Sequence, residues 1–371
     1  GMFAFAVSGE TAAGALGLQA LTGLDLPLWI FILTLGVLAL LPNLFGIKTT
    51  AWVSAALLLL MIGIRWFFGV AGFLGISQTG EWSAQNLDSG VGALDWFSDG
   101  GVLRSGLAVA FWSFVGIEFA CSLAEEVKSP RKSMPRGLIL GLFAILATSL
   151  VMGLGVTGTQ PLAQWQSAST SALAAQGEAP QLAVGHAMFG QTGYLLMALA
   201  SVAATLGTLT VAYAAMPRIL FSLARDKQFH WRINSNLGSL HPRFGTPVTA
   251  TLVTFALYQV PSIAGAGVID WIYSAAYAWI LLYLAFHLLA IANHRLGRSV
   301  ASPRRARWVI SSAALGIILT VFGLYFAFEG AHATFGGRAL VILLAALALT
   351  AASRFKWKAR APQPAPQPSE S

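Results

Sequence analysis

The chain is built from long apolar runs separated by short polar breaks. The runs last about 20 residues, the length that carries a helix across a bilayer's hydrocarbon core at ~1.5 Å per residue. Read against Gly, Pro and charged residues, they fall at roughly 2–22, 27–43, 48–74, 104–124, 135–157, 190–222, 246–263, 268–293, 307–328 and 336–353. The run 190–222 is longer than a bilayer needs, so it is predicted to tilt or to emerge into the cytoplasm. Two longer links, 75–103 and 158–189, are rich in Gly, Ser, Gln and Asp and read as surface loops. No alternation in ten-residue segments occurs, which argues against an outer-membrane barrel. The pattern predicts an all-α polytopic membrane protein with a transmembrane domain over 1–360. The Pro- and Gln-rich tail 361–371 reads as disordered and cytoplasmic.

Composition agrees. Of 371 residues, 56% are hydrophobic and only 10% charged. Soluble domains carry about 25% charged residues. The formal net charge of +8 raises the question of nucleic acid, and its distribution answers it. Of the 22 basic residues, all but Arg65, Arg104 and Arg338 fall on one set of loops and span ends. The opposite loops hold Asp25, Glu81, Asp88, Asp95, Asp99, Glu178, Asp270 and Glu329. This is the asymmetry of a positive inside. It places the protein in the cell membrane as a multi-pass chain with both termini cytoplasmic. The basic face then meets anionic lipid, and nucleic acid is not an expected partner.

Ionisable groups inside a bilayer are costly and mark function by default. Four stand out: Glu10, Lys48, Arg65 and Glu118. Glu118 follows the string Phe114-Val115-Gly116-Ile117 within an apolar span. A glycine there weakens the helix by about 1 kcal/mol. A helix interrupted at the midplane frees carbonyls for an ammonium and N–H groups for a carboxylate, which suits a small zwitterion. Gly116 is equally compatible with plain close packing of helices. Glu10 faces either a cavity or a small-residue interface. Lys48, at a cytoplasmic span end, reads by itself as part of the positive inside. Arg65, beside Trp66, is expected to snorkel to the outer interface. The hydroxyls of TLGTLT (Thr205, Thr208 and Thr210) serve either a site or helix–helix bonding. No nucleophile or phosphate-binding motif is present, and the six histidines have no metal-ligand spacing. The single Cys121 leaves no pair for an intrachain disulfide. The chain reads as neither an enzyme nor a cofactor protein.

The string FVGIEFACSLAEEVKSPRKSMPRG at 114–137 resembles the signature of permeases of the amino acid–polyamine–organocation superfamily. Met216-Pro217-Arg218, Leu223-Ala224-Arg225-Asp226 and His241-Pro242-Arg243-Phe244-Gly245-Thr246-Pro247 resemble that family's eighth helix and the loop after it. Asn43-Leu44-Phe45-Gly46-Ile47-Lys48 resembles the start of its fifth. The three patches lie in the family's order and cover nearly all the chain. The resemblance implies a LeuT-type inverted-repeat fold and amino-acid transport by alternating access. About ten helices are expected here, the family's third to twelfth.

The resemblance also implies roles. Phe114, Val115, Gly116 and Ile117 match the unwound stretch whose backbone faces the substrate amine. Trp112 matches a gating aromatic, and Glu118 a glutamate tied to proton coupling or gating. Lys48 matches a lysine whose ammonium stands where sodium-coupled relatives bind sodium. Transport is then proton-coupled symport or exchange, independent of sodium. Thr210 joins the candidate substrate residues, and Thr205, Thr208 and Glu10 the candidate coupling and gating residues. Glu125 and Glu126, close to Lys128, Arg131, Lys132 and Arg136, are expected to form with Arg218, Arg225 and Asp226 a salt-bridge network that holds the inner gate. On this map the family's first two helices precede Gly1 and are not in the chain. That motivates one rival, a non-transporting remnant or sensor, while Glu10 and Glu118 are compatible with another, a polyamine or cationic amino-acid exchanger.

Overall fold

The computed structural model describes residues 2–88, 110, 113–161, 164–165, 180–228, 231–263, 268–297, 303–327, 340–341 and 344. The described residues are mainly helical, and no strand occurs among them. Helices α1 (Met2–Thr22), α2 (Leu28–Leu44) and α3 (Ile47–Phe73) coincide with the first three predicted spans to within a residue or so. Gly46, at φ 101°, turns the chain from α2 into α3, in a region of backbone space that favours glycine.

A short 3-10 helix (Ile117–Glu126) and α4 (Pro130–Thr157) follow. Pro130 opens α4, where its fixed φ is already helical and its missing N–H costs nothing. The polar first turn of α4 hides this start from a hydropathy reading, which begins the span five residues later. Next come α5 (Pro180–Arg225), α6 (Trp231–Leu237), α7 (Val248–Ile263), α8 (Val268–Arg295) and α9 (Pro303–Ala327). The expected spans 246–263, 268–293 and 307–328 are thus occupied. The expected span 336–353 and the tail lie almost wholly outside the described residues. Among the described residues, five helices (α3, α4, α5 and the main parts of α8 and α9) are long and apolar enough to cross a membrane, and α2 and α7 are shorter apolar helices.

The run 190–222 is helical without a break from 191 onward, and the correction falls on the link 158–189, whose residues 180–188 are helix and not surface loop. Helical geometry starts at Pro180 and breaks at Phe189 (φ −141°) and Gly190 (φ 59°, ψ −146°). Gly185 and Gly193 then touch backbone to backbone. Eight residues of unbroken helix would hold them about 12 Å apart. The stretch 180–188 therefore doubles back on the helix that follows, and hydropathy alone does not register a reversal between two apolar pieces.

α5 is the central post. Half of its most apolar stretch is buried, against 17% for α3, α4 and α9. It packs most extensively on α1 and α3, then on α2 and α7. Small residues make this possible. Gly14 of α1 lies on the Thr205 side chain, and Gly17 lies against the Ala198 carbonyl. Gly69 and Gly72 of α3 meet the backbone of Val151 and Gly155 on α4. Polar bonds lock the contacts. Asn43 Nδ2 donates to the Thr210 carbonyl at 3.0 Å, tying α2 to α5. Gln259 Nε2 donates to Tyr213 Oη at 3.0 Å, tying α7 to α5. Trp66 Nε1 donates to Thr148 Oγ1 at 3.0 Å, tying α3 to α4. In a bilayer, where apolar contact with lipid competes with apolar contact between helices, such packing and bonds decide association.

The α3–α4 seam offers a controlled test. A Cβ at Gly155 would run into the Gly69 carbonyl, whereas a Cβ at Gly153 meets nothing within 4 Å. Gly153→Ala should leave stability unchanged or raise it by up to about 1 kcal/mol through helix propensity. Gly155→Ala should lower it by about 1–3 kcal/mol despite the same propensity gain. Melting temperatures of the two purified variants in detergent separate these outcomes.

Candidate functional site

The span expected at 104–124 is interrupted. Residue 113 is helical, 114–116 form a turn, and the chain re-enters as the ten-residue 3-10 helix. Gly116 sits at the break with φ 113° and ψ −17°, and its carbonyl accepts the Phe119 N–H at 3.1 Å. A Cβ there would come no nearer than 3.7 Å to the Phe119 ring, so backbone conformation, not space, favours glycine. Runs of 3-10 helix beyond three or four residues are uncommon and mark hinges or strained stretches. Phe119 packs edge-on against Trp279 of α8, with ring centroids 6.2 Å apart.

The break opens onto a cavity of about 730 Å³. That is within the size range of small-molecule sites. Its walls come from α1, α3, the 3-10 segment, α4 and α5. Val115, Gly116 and Ile117 line it, and so do Glu10 of α1 and Thr208 of α5. Most of the rest is aliphatic, including Leu58, Met61 and Ile145. Ser54 of α3 also lines it. Its hydroxyl is shut off from solvent and finds no hydrogen-bond partner among the described residues. A buried hydroxyl of that kind is a ready partner for a polar ligand group.

Other candidates fall elsewhere. Thr205 is buried, and its Oγ1 donates to the Glu10 carbonyl at 2.9 Å, so it fixes α1 against α5. Thr210 is buried too. Its Oγ1 bonds the Leu206 carbonyl at 2.6 Å while its own carbonyl receives Asn43. Phe114 is half-buried in the turn and does not line the cavity. Lys48 is exposed in the first turn of α3, away from the cavity wall. Trp112 lies outside the described residues, as does the side chain of Glu118, whose backbone is in the 3-10 helix.

Below the cavity, Glu126 pairs with Arg218, joining the 3-10 segment to the basic end of α5. Arg218 Nη1 also donates to the Ala214 carbonyl. One contact of the expected cytoplasmic network is therefore formed among the described residues. The α3 wall is what a search for isolated polar groups misses. Ser54, Leu58 and Met61 recur by four and three along one face, and Arg65 is the next position on it. Arg65 is exposed and does not line the cavity.

Comparison with known proteins places this architecture. The family model described as "Amino acid permease" matches residues 1–349. An uncharacterized transporter of Mycobacterium tuberculosis is 26% identical over 295 residues, covering 76% of this chain and 58% of the relative. The human cationic amino acid transporter 4 is 26% identical over 211 residues, 56% of this chain and 29% of the relative. A branched-chain amino acid permease of Bacillus subtilis is 28% identical over 156 residues, 41% of this chain and 30% of the relative. The chain thus spans 58% or less of the length of these relatives. With its match running from residue 1 to 349, this multi-pass, all-α membrane protein belongs to the amino acid permease family.

Proposed function

We propose that the chain forms the helical body of a secondary transporter that carries amino acids across the cell membrane by alternating access. The observation that carries this reading is the backbone break at Gly116 facing a cavity of about 730 Å³. Backbone polar groups leave regular helix inside a bilayer only where protein or a water-filled cavity receives them. A broken helix lining a cavity is the arrangement in which transporters bind charged and zwitterionic solutes. The relatives' names, which include cationic and branched-chain amino acid carriers, support the substrate class.

Transport is proton-linked or by exchange. Glu118 is the protonatable group next to the break at Gly116. Lys48, exposed at the start of α3, matches by resemblance a lysine whose ammonium stands where sodium-coupled relatives bind sodium, and two cations do not share one site. The basic loops face the cytoplasm, which puts both chain ends there. The ten-residue 3-10 segment, held to α5 by the Glu126–Arg218 pair, is the element that moves when the inner side opens. A second reading, a cationic amino-acid or polyamine exchanger, draws on Glu10 in the cavity wall and on relatives named as cationic amino acid transporters.

Three variants test the reading in proteoliposomes holding the full-length protein. Gly116→Ala forces a side chain into positive φ at a cost of about 1–3 kcal/mol. Amino-acid uptake should fall by about tenfold or more, one factor of ten for each ~1.4 kcal/mol, with the melting temperature lowered by only a few degrees. Unaltered uptake would remove the break from the mechanism. An imposed inward proton gradient should accelerate wild-type uptake, and Glu118→Gln should abolish that acceleration while leaving exchange across equal pH intact. Adding sodium should change nothing, and Lys48→Ala should slow transport. Sodium-dependent uptake by the wild type would sink the role given to Lys48.

A further inference from the structure

α3 and α4 run side by side in the same direction. Trp66 bonds Thr148, and Gly69 and Gly72 meet the backbone of Val151 and Gly155, each pair about 82 positions apart in sequence. Parallel helices rise at the same rate, so this register carries toward their N-terminal ends and sets Gly141 level with Leu58. The cavity begins where the seam stops. Its lining reaches no further than Met61 on α3 and Ile145 on α4. α3 and the 3-10 segment both pack on α4 and α5, so the cavity has the break at Gly116 on one side and the α3–α4 cleft on the other. The lining that α3 and α4 supply includes no charged residue.

Leu138, Gly141 and Ile145 succeed one another at spacings of three and four, which is one face of α4, and all three line the cavity. Two bulky side chains therefore flank a gap. Packing does not require that gap: a Cβ at Gly141 would meet nothing within 4 Å, whereas a Cβ at Gly155 would run into the backbone of α3. Backbone conformation does not require it either, since Gly141 lies in regular helix. Glycine weakens such a helix relative to alanine. What it supplies in return is room. We propose that Gly141 is a specificity-determining residue: the notch it leaves between Leu138 and Ile145, across the cleft from Leu58 and Met61, receives a large apolar side chain, and the cavity takes leucine in preference to alanine or lysine. This rests on the transport reading above and names the substrate class within it. An aliphatic side chain in the notch gains by leaving water. A charged one would give up its hydration there with no partner to repay it.

The test is uptake of labelled leucine, alanine and lysine by proteoliposomes containing the full-length protein. The wild type should favour leucine over both others. Gly141→Leu fills the notch and should lower the leucine-to-alanine ratio by about tenfold or more while alanine uptake persists. Gly141→Ala should lower the ratio by a smaller factor without lowering the melting temperature, because the added methyl has no neighbour to strike. Gly153→Ala, on the same helix but outside the cavity lining, should leave the ratio as it is. An unchanged ratio in Gly141→Leu overturns the proposal. So does an equal fall in leucine and alanine uptake, which would put Gly141 on the route without a part in the choice. Wild-type uptake of alanine or lysine equal to that of leucine overturns it as well, and transport itself then stands. Uptake of none of the three by the wild type would instead bring down the transport reading. Should Gly141→Leu fail to reach the membrane, Gly141→Ala decides: a wild-type ratio there overturns the notch.

Discussion

Inside a bilayer every backbone N–H and carbonyl must be answered by the protein itself. That constraint governs most of what this chain does. It accounts for the succession of long helices and for the lack of strands among the described residues. It also makes the two departures from helix informative. At Phe189 and Gly190 the reversal is absorbed by backbone contact between Gly185 and Gly193, inside a cluster of buried apolar side chains. At Gly116 the break is not absorbed by packing. It opens on a cavity. One break shapes the fold and the other makes a site, and the difference lies in what surrounds each.

α5 converts the constraint into an architecture. Lipid tails are as apolar as leucine, so hydrophobicity alone does not choose one helix partner over another. Close approach through small residues does. Gly14 and Gly17 bring α1 onto α5, while Gly69, Gly72 and Gly155 bring α3 onto α4. Asn43 and Gln259 each reach α5 from a different helix. With α1 and α3 both seated on one post, the furrow between them follows from geometry. Thr205 does double duty here, since it packs under Gly14 and bonds the Glu10 carbonyl. Its hydroxyl, a candidate site group by sequence, is committed to building the wall.

Much of the fold was legible in the sequence because hydropathy and breakers report what must be buried in lipid. The limits of α1, α2 and α3 come directly from apolar runs ended by Gly, Pro and Asp. What hydropathy does not encode is direction. The turn-back at Gly190 joins two apolar pieces, and the polar first turn of α4 is helix without an apolar signal. The site was legible where chemistry is unusual: Gly116 and Glu10 stand out in an apolar background, and both line the cavity. Thr205 and Thr210 carry the same hydroxyl as Thr208 on the same helix, yet only Thr208 reaches the cavity. Which face a helix presents depends on its partners, and a single span does not state them. The α3 wall went unread for a related reason. Its aliphatic stripe looks like any lipid-facing stripe until α1 is placed opposite.

The same placement gives the two parts of the cavity different work in the transport reading proposed above. A zwitterion brings one charge of each sign to the broken helix, where freed backbone dipoles receive them. The wall opposite is largely aliphatic, with Val7, Leu58, Met61 and Ile145. Such a surface gains by contact with apolar groups and offers little to a further charge, whose desolvation it does not repay. Glu10, Ser54 and Thr208 are polar points set among these side chains, and a few placed polar groups in an apolar pocket are what fix a ligand's orientation. The break at Gly116 can then serve the ammonium and carboxylate common to every amino acid, while the aliphatic wall meets what differs between them.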